Sequence, residues 1–484
     1  MAASKCCRSL RGLAVALLGL HVLAHAEPGS RAELTCLLGS GELLNGRGSG
    51  RFEDPPWQTI ASPRRGDENR ARLALAASDV GFVPGVTTDA SLRLELRLST
   101  GATSDPAALR DLSSSLGLAQ RLTRSTELGL RAYPLDTDYV RLGYLHALDW
   151  GGTDAAHGES IFVTQTGPVP GLQVSLRMPR LRLFSAAKWA TINDAVRGER
   201  RLWGVLSGGS VELSPELRAD AGFGYFQRAA LRLGATATPS FVEGASLRFV
   251  WHHRAAEPEL AAEPFRPPSL GDDPSRLAAD APVGSALALE GVTLVQRLRR
   301  FENPSTAALT AAPAGALYGS IRGRRLAAHA AITWRSLAFV LRNDARLAGG
   351  ENLPTSSVAQ AEVAAWLGGS ITWIAIRLVP SVELGMRLPA ALQTPSALAG
   401  YGQTLVAGGA AGFEALPVGA GRLPVGVGRL GLRFQASPVL SVALFSEYQR
   451  DPNRVTFAAS PRGVIRAFAK PDSLTMVAAA QARF

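Results

Sequence analysis

Strict alternation is the feature that most constrains this chain. In Ser91-Leu92-Arg93-Leu94-Glu95-Leu96-Arg97-Leu98-Ser99, four leucines fall on one side of an extended backbone and the charges on the other. Successive strand side chains point to opposite faces, so this spacing makes a half-apolar strand, whereas a helix would scatter the leucines around its axis. The pattern recurs. Leu172, Val174, Leu176 and Met178 alternate with Gln173, Ser175 and Arg177, and Ala219, Ala221 and Phe223 alternate with Arg218, Asp220 and Gly222. Leu247, Phe249 and Trp251 oppose Ser246 and Arg248, while Val382, Leu384 and Met386 oppose Glu383 and Arg387. Each run is ~8–12 residues, the length that crosses a bilayer at a tilt. Strands of a soluble sandwich are mostly shorter, at about 5–6 residues.

No segment makes a transmembrane helix. The uncharged stretch from Leu388 to Phe413 is broken by Pro389, Pro395 and several glycines, and Val363 to Ile376 falls short of the ~20 residues a helix needs. Charged residues are only 19% of the chain and mean hydropathy is +0.08. Ordinary soluble domains carry about 25% charge. One architecture reconciles weak charge with the lack of an apolar helix: the closed β-barrel, which satisfies every backbone group internally. The expected fold is therefore all-β, a closed antiparallel transmembrane barrel.

The first 26 residues read as a secretory signal peptide. Lys5, Arg8 and Arg11 form a basic start, Leu13 to Leu23 an apolar run, and Ala24-His25-Ala26 a small-x-small cleavage pattern. Cleavage after Ala26 removes three positive charges from the net +11, together with Cys6 and Cys7, leaving Cys36 without a disulfide partner. Residues 27–68, with Pro55-Pro56, Arg64-Arg65 and Asp67-Glu68, read as an exposed periplasmic lead-in, with a short helix over Ala32 to Leu44 and a lumen plug as the alternative. Residues 69–484 then form the barrel. At roughly 22–27 residues per strand and connection they supply about 16 strands, within a range of about 14–18. Tight turns such as Ser214-Pro215 alternate with longer polar links; the longest, Ala255 to Gly284, fits an external loop.

The end of the chain carries a resemblance. Leu474, Met476, Ala478, Ala480, Ala482 and Phe484 share one face of the last run. An alternating strand ending in phenylalanine resembles the signal by which bacterial outer-membrane barrels are recognised for insertion. Together with the signal peptide and the amphipathic strands, it makes the chain similar to Gram-negative outer-membrane barrels of the general porin type. The face departs from the usual pattern in being mostly alanine, and aromatic residues are only 7%. The resemblance implies a place in the bacterial outer membrane, with its lipid and the barrel-insertion machinery as partners. It leaves homo-oligomerisation open.

Other functions were weighed against the residues. Only Lys5, Lys188 and Lys470 are lysines among 51 basic residues, a skew that a GC-rich genome produces by itself. The arginines form no stripe or tail, so no nucleic acid is expected as a partner. His157-Gly158-Glu159-Ser160 brings a base, an acid and a nucleophile together, but lacks the strand–turn context of a nucleophile elbow. His252 and His253 are neighbours on a strand and face opposite ways, which disfavours a shared metal. Gly426-Val427-Gly428-Arg429-Leu430-Gly431 matches a dinucleotide-binding pattern, yet no helix follows and it reads as a glycine-rich turn. No catalytic residue, metal or cofactor is assigned.

The remaining chemistry is the lumen. An arginine facing lipid at midplane costs roughly 2–4 kcal/mol, so the polar face should line water. That expectation places Arg93, Arg97, Arg141, Arg177, Arg218, Arg248, Arg297, Arg299, Arg387 and Arg433 inside, with Glu95, Glu383 and Glu447 among them. Rings of arginine favour anions. The leading expectation is passive diffusion of small hydrophilic solutes, with a mild preference for anionic ones. The bland reading is that the arginines pair with acids and brace the wall. The other functions considered are a structural or assembly barrel with an occluded lumen and a loop-bound partner, and, less favoured, a hydrolase.

Overall fold

The computed structural model describes residues 30–40, 67–78, 85–100, 107–111, 114–135, 169–194, 198–254, 283–303, 305–341, 357–394, 403–407, 413–460 and 463–483, with 140, 142, 143, 145, 146 and 148. The signal segment, His157 to Ser160, Arg141 and Phe484 lie outside these residues, as does the side chain of Arg97.

The wall is one antiparallel sheet. Its first half is β1 (Ser30–Ser40), β2 (Asp67–Ser78), β3 (Val86–Thr100), β4 (Ala107–Asp111), β5 (Ser115–Arg121), β6 (Glu127–Tyr133), β7 (Gly171–Arg177), β8 (Leu181–Asp194), β9 (Gly198–Ser214) and β10 (Leu217–Leu233). There follow β11 (Thr236–His253), β12 (Gly284–Arg299), β13 (Ala307–Arg322) and β14 (Leu326–Arg335); a helical turn α1 (Leu337–Val340); and the short β15 (Val358–Gln360). The chain goes on through β16 (Glu362–Ile371), β17 (Leu378–Leu388), β18 (Ala391–Thr394), β19 (Gln403–Ala407), β20 (Phe413–Ala415), β21 (Val425–Gln435) and β22 (Leu440–Arg450). It ends with β23 (Val455–Ser460), β24 (Gly463–Phe468) and β25 (Asp472–Arg483). β15, β18, β19 and β20 form a separate small sheet, and β23 and β24 a hairpin.

Each wall strand pairs with the next, and β1 pairs with β25 to close the barrel. β4 and β5 are halves of one broken strand, both paired with β3. Ser114 staples the break: its amide donates to Asp111 Oδ2 at 3.0 Å, and its hydroxyl accepts from the Arg93 amide at 2.9 Å. The barrel thus has 18 strands, slightly more than the spacing favoured.

The excess over 16 begins at the N-terminus. Ser30–Ser40 is a wall strand between β2 and β25, not a lead-in, plug or helix. Leu34, Leu37 and Leu38 mimic helical i, i+3, i+4 spacing. Alternation of Ala32, Leu34 and Cys36 with Thr35 fits a strand equally, and the open edges of β2 and β25 decide between them. The glycine-rich segment 426–431 likewise lies inside β21 rather than in a turn.

The two faces follow the alternation. Leu92, Leu96, Leu247, Phe249, Leu384, Met386, Leu430 and Leu432 are exposed outward, while Glu95, Arg248, Glu383 and Arg429 are buried inward. Among the described residues no helix is long and apolar enough to cross a membrane. β1 starts and β25 finishes at the same end of the barrel. Turns at that end are short, including Pro215-Glu216, Gly323 to Arg325 and Ala436 to Val439. Long connections such as 134–170, 336–361 and 389–424 leave the opposite end. The link after β11 breaks the rule. Its edges sit at the end with the short turns, where the His252 amide donates to Glu216 O at 2.8 Å. Counting strands therefore removes the 255–284 link from the set of external loops, where its length and polarity had put it.

The seam at β1 is directly testable. Thr35→Pro removes a ladder donor from a strand paired on both sides, leaving an acceptor unsatisfied at about 1–3 kcal/mol. The variant should lose the compact, heat-sensitive migration of a closed barrel in unboiled detergent gels, whereas Thr35→Val should keep it.

Candidate functional site: the inner wall

The inward positions of neighbouring strands stand in register, and the sequence puts charges of opposite sign at matching heights. On β10 and β11, Asp220 faces Arg248 across the ladder. Arg218 Nε donates to Asp220 Oδ1 at 2.6 Å and Arg248 Nε to Asp220 Oδ2 at 2.7 Å. On β14, β16 and β17 the same motif recurs: Arg335 Nε donates to Glu362 Oε1 at 2.8 Å, and Arg387 Nη1 to Glu362 Oε2 at 3.2 Å. Each acid is buried between two arginines.

A third row reverses the arrangement. Arg429 donates through Nη2 to Glu447 Oε2 at 2.6 Å and lies 3.4 Å from Glu383 Oε2. His329 Nε2 reaches Glu383 Oε1 at 3.4 Å although β16 runs between their strands. Gly368 makes this possible. It is in register with both His329 and Glu383, and a Cβ there would lie 2.5 Å from the imidazole. The device is repeated at Gly117, in register with Asp89 and Arg131, which pair across it at 2.8 Å. Glycine in the intervening strand lets partners two strands apart meet.

Part of the inner face is apolar. Phe184, Leu202, Leu206, Phe226, Val242, Val292 and Leu294 form a buried cluster with Leu142, Leu148 and Phe339. The latter three belong to connections that fold into the barrel. Leu142 and Leu148 exchange backbone hydrogen bonds at 3.0 and 2.7 Å, closing a tight loop. Gly222 and Gly244 leave room for their side chains, since a Cβ at either would lie within 3.0 Å of a leucine methyl. Glu290 anchors the loop: its carboxylate accepts from the Leu145 amide at 2.8 Å and the His146 amide at 3.1 Å. The His146 ring packs edge-on against Phe339, with Nε2 3.1 Å from Gly315 O. The infolded segment is thus main chain and apolar side chains packed on the inner wall, tied to it by the Glu290 carboxylate.

The same end, from which the long connections leave, is fastened separately. Arg422 Nη1 donates to Ala361 O and Pro389 O, each at 2.6 Å, and the Asn453 side chain bridges the amide and carbonyl of Leu423, each at 2.7 Å. Burial, then the Asp451 carboxylate, push the Glu414 carboxyl above its ordinary value there.

The structure sorts the expected lining residues. Glu95, Arg218, Arg248, Glu383, Arg387, Arg433 and Glu447 are buried on the inner face, Arg93 is half-buried there, and Arg177 pairs with Glu127 at 3.5 Å. Arg297 and Arg299 are corrections: both stand on the outer face of β12, whose inward positions are Glu290, Val292, Leu294, Gln296 and Leu298. Leu294 and Leu298 had looked lipid-facing, but they pack against the infolded segments, so the local alternation is inverted. Sequence reasoning passed over Asp220, Glu290, Glu362, Arg335, Arg429 and His329 as site residues. Parity along their strands marks Asp220 and Glu290; nothing local marks the glycine-mediated contact of His329.

No protein-family model matches the chain, and no curated protein matches it. Among solved structures it is similar to OpdL of Pseudomonas aeruginosa (TM-score 0.45, 8% identity, covering 94% of this chain and 99% of that one). It is also similar to OccAB2 of Acinetobacter baumannii (TM-score 0.46, 9% identity, 94% and 98% covered) and to P. aeruginosa OpdK with vanillate (TM-score 0.44, 11% identity, 94% and 98% covered). The chain is a closed antiparallel barrel of 18 strands, apolar outside and charged inside, and its backbone groups are satisfied within the ring.

Two substitutions test the wall. Glu362→Ala leaves Arg335 and Arg387 facing each other in a buried site and should cost about 3–5 kcal/mol in urea unfolding from vesicles. Gly368→Ala should cost about 1–3 kcal/mol by overpacking against His329. The double variant His329→Ala/Gly368→Ala should recover part of that loss, whereas additive losses would remove the proposed contact.

Proposed function

We propose that this protein is a bacterial outer-membrane channel for passive diffusion of small hydrophilic solutes, with a mild preference for anions. The observation that carries this reading is the pair of inward Arg–acid–Arg triplets, Arg218–Asp220–Arg248 and Arg335–Glu362–Arg387. Each sets two arginines against one acid on the inner face of the wall, and an arginine-rich lining favours anions. The Glu383–Arg429–Glu447 row offsets part of it, which is why the preference is mild. Export through cleavage after Ala26 and recognition of Phe484 by the insertion machinery belong to the same reading. It assigns no catalytic step to any residue.

A second reading is a structural barrel with an occluded lumen and a partner bound at its loops. The burial of Leu142, Leu148 and Phe339 inside the barrel favours it. Planar-bilayer recording separates the two. Under a potassium chloride gradient the channel reading expects stable conductance and a reversal potential displaced toward chloride. Cation selectivity overturns the anion preference, and absence of conductance overturns the channel.

Glu290 supplies a sharper test of the infolded segment. Glu290→Ala removes the acceptor of two buried amides, a change worth about 1–3 kcal/mol per group. The variant should show larger and noisier single-channel conductance, with Glu290→Gln intermediate because one acceptor oxygen remains.

A further inference from the structure

Three adjacent turns lie at the end of the barrel where β1 starts and β25 finishes. They are Gly323 to Arg325, Thr372 to Arg377 and Ala436 to Val439, joined by hydrogen bonds from the Thr372 amide to Arg325 O at 2.7 Å and from the Gln435 amide to Arg377 O at 3.0 Å. Turns facing water are normally polar. The middle one instead exposes Trp373, Ile374 and Ile376, with Val439 exposed on the neighbouring turn.

The outer face beside these turns is apolar to its last residue. Leu326, Ile371 and Phe434 are exposed outward at the strand ends, so the turn residues continue the lipid-facing belt past the ends of the ladder. Arg324, Arg325 and Arg377 are exposed in the same turns, and no acidic residue occurs in 321–326, 371–378 or 435–440. Another turn of this rim does carry an acid, Glu216, which lies 2.8 Å from the His253 ring. Arg377 is held at φ 52, a left-handed conformation that ordinary side chains rarely adopt. A tryptophan and isoleucines at the belt's edge, with unopposed arginines just beyond, match the boundary between acyl chains and headgroups.

We infer that this arc binds the headgroups of anionic phospholipids in the leaflet at this end of the barrel. The arginines meet phosphate while Trp373, Ile374 and Ile376 enter the interfacial layer. The inference requires that the barrel span a bilayer and is independent of what passes through it.

The full-length protein refolded into phosphatidylcholine vesicles, with or without phosphatidylglycerol, provides the test. Phosphatidylglycerol should raise the urea midpoint of the wild-type protein, and added salt should reduce that gain. Arg324→Gln/Arg325→Gln/Arg377→Gln should fold in phosphatidylcholine but lose most of the gain, at about fivefold in preference for anionic lipid per arginine. The corresponding triple lysine variant should retain it. Lipids brominated near the glycerol backbone should quench Trp373, so Trp373→Phe should remove part of the quenching seen in the wild-type protein. A wild-type midpoint indifferent to phosphatidylglycerol overturns the inference. So does a glutamine variant that keeps the gain, or one whose only change is a shift between monomer and oligomer, which would make the arc a contact between copies of this chain.

Discussion

Closure of the backbone ladder is the constraint on which everything else depends. In hydrocarbon an unpaired amide or carbonyl has no water to turn to, so a sheet can span only if its edges vanish. Here the edges vanish because Ser30–Ser40 fits between β2 and β25. Once the circle is complete, each residue's face is set by parity, and opposite charges at matching registers are brought together inside. The ion pairs are consequences of the closed register and not its cause.

Inside the wall, two kinds of packing coexist. Charged rows cross the strands, with acids held between arginines or an arginine between acids. Such buried groups contribute little net stability as pairs, yet losing one partner is expensive, so they enforce a single register more than they add strength. Beside them, an apolar arc receives the infolded loop around Leu142 and Leu148. Glycine serves both: Gly222 and Gly244 admit the loop's leucines, and Gly117 and Gly368 let polar partners reach across an intervening strand.

Much of the fold was legible in the sequence. The alternating runs at 91–96, 172–177, 217–226, 245–251 and 381–388 fall in wall strands with the faces expected of them. The site was legible where alternation was clean, as at Arg218, Arg248, Glu383 and Arg387. It was not legible at Arg297 and Arg299, because inward Leu294 and Leu298 mimic a lipid face when the loop that covers them is unknown. Nothing near His329 in the sequence marks it, since its partner lies two strands away across a glycine. Arg429 was hidden in a glycine-rich pattern that resembled a turn.

The sequence by itself determined that the chain forms amphipathic strands long enough to cross a bilayer and, for most of them, which face points outward. Those are local properties, set by a period of two and by the cost of exposing charge to hydrocarbon. The tertiary structure decided the strand that closes the ring, the end from which each connection leaves and the loops that enter the lumen. It also decided which charges neutralise one another. Each of these depends on register between segments far apart in the chain, and register is a property of the closed sheet that no single strand carries.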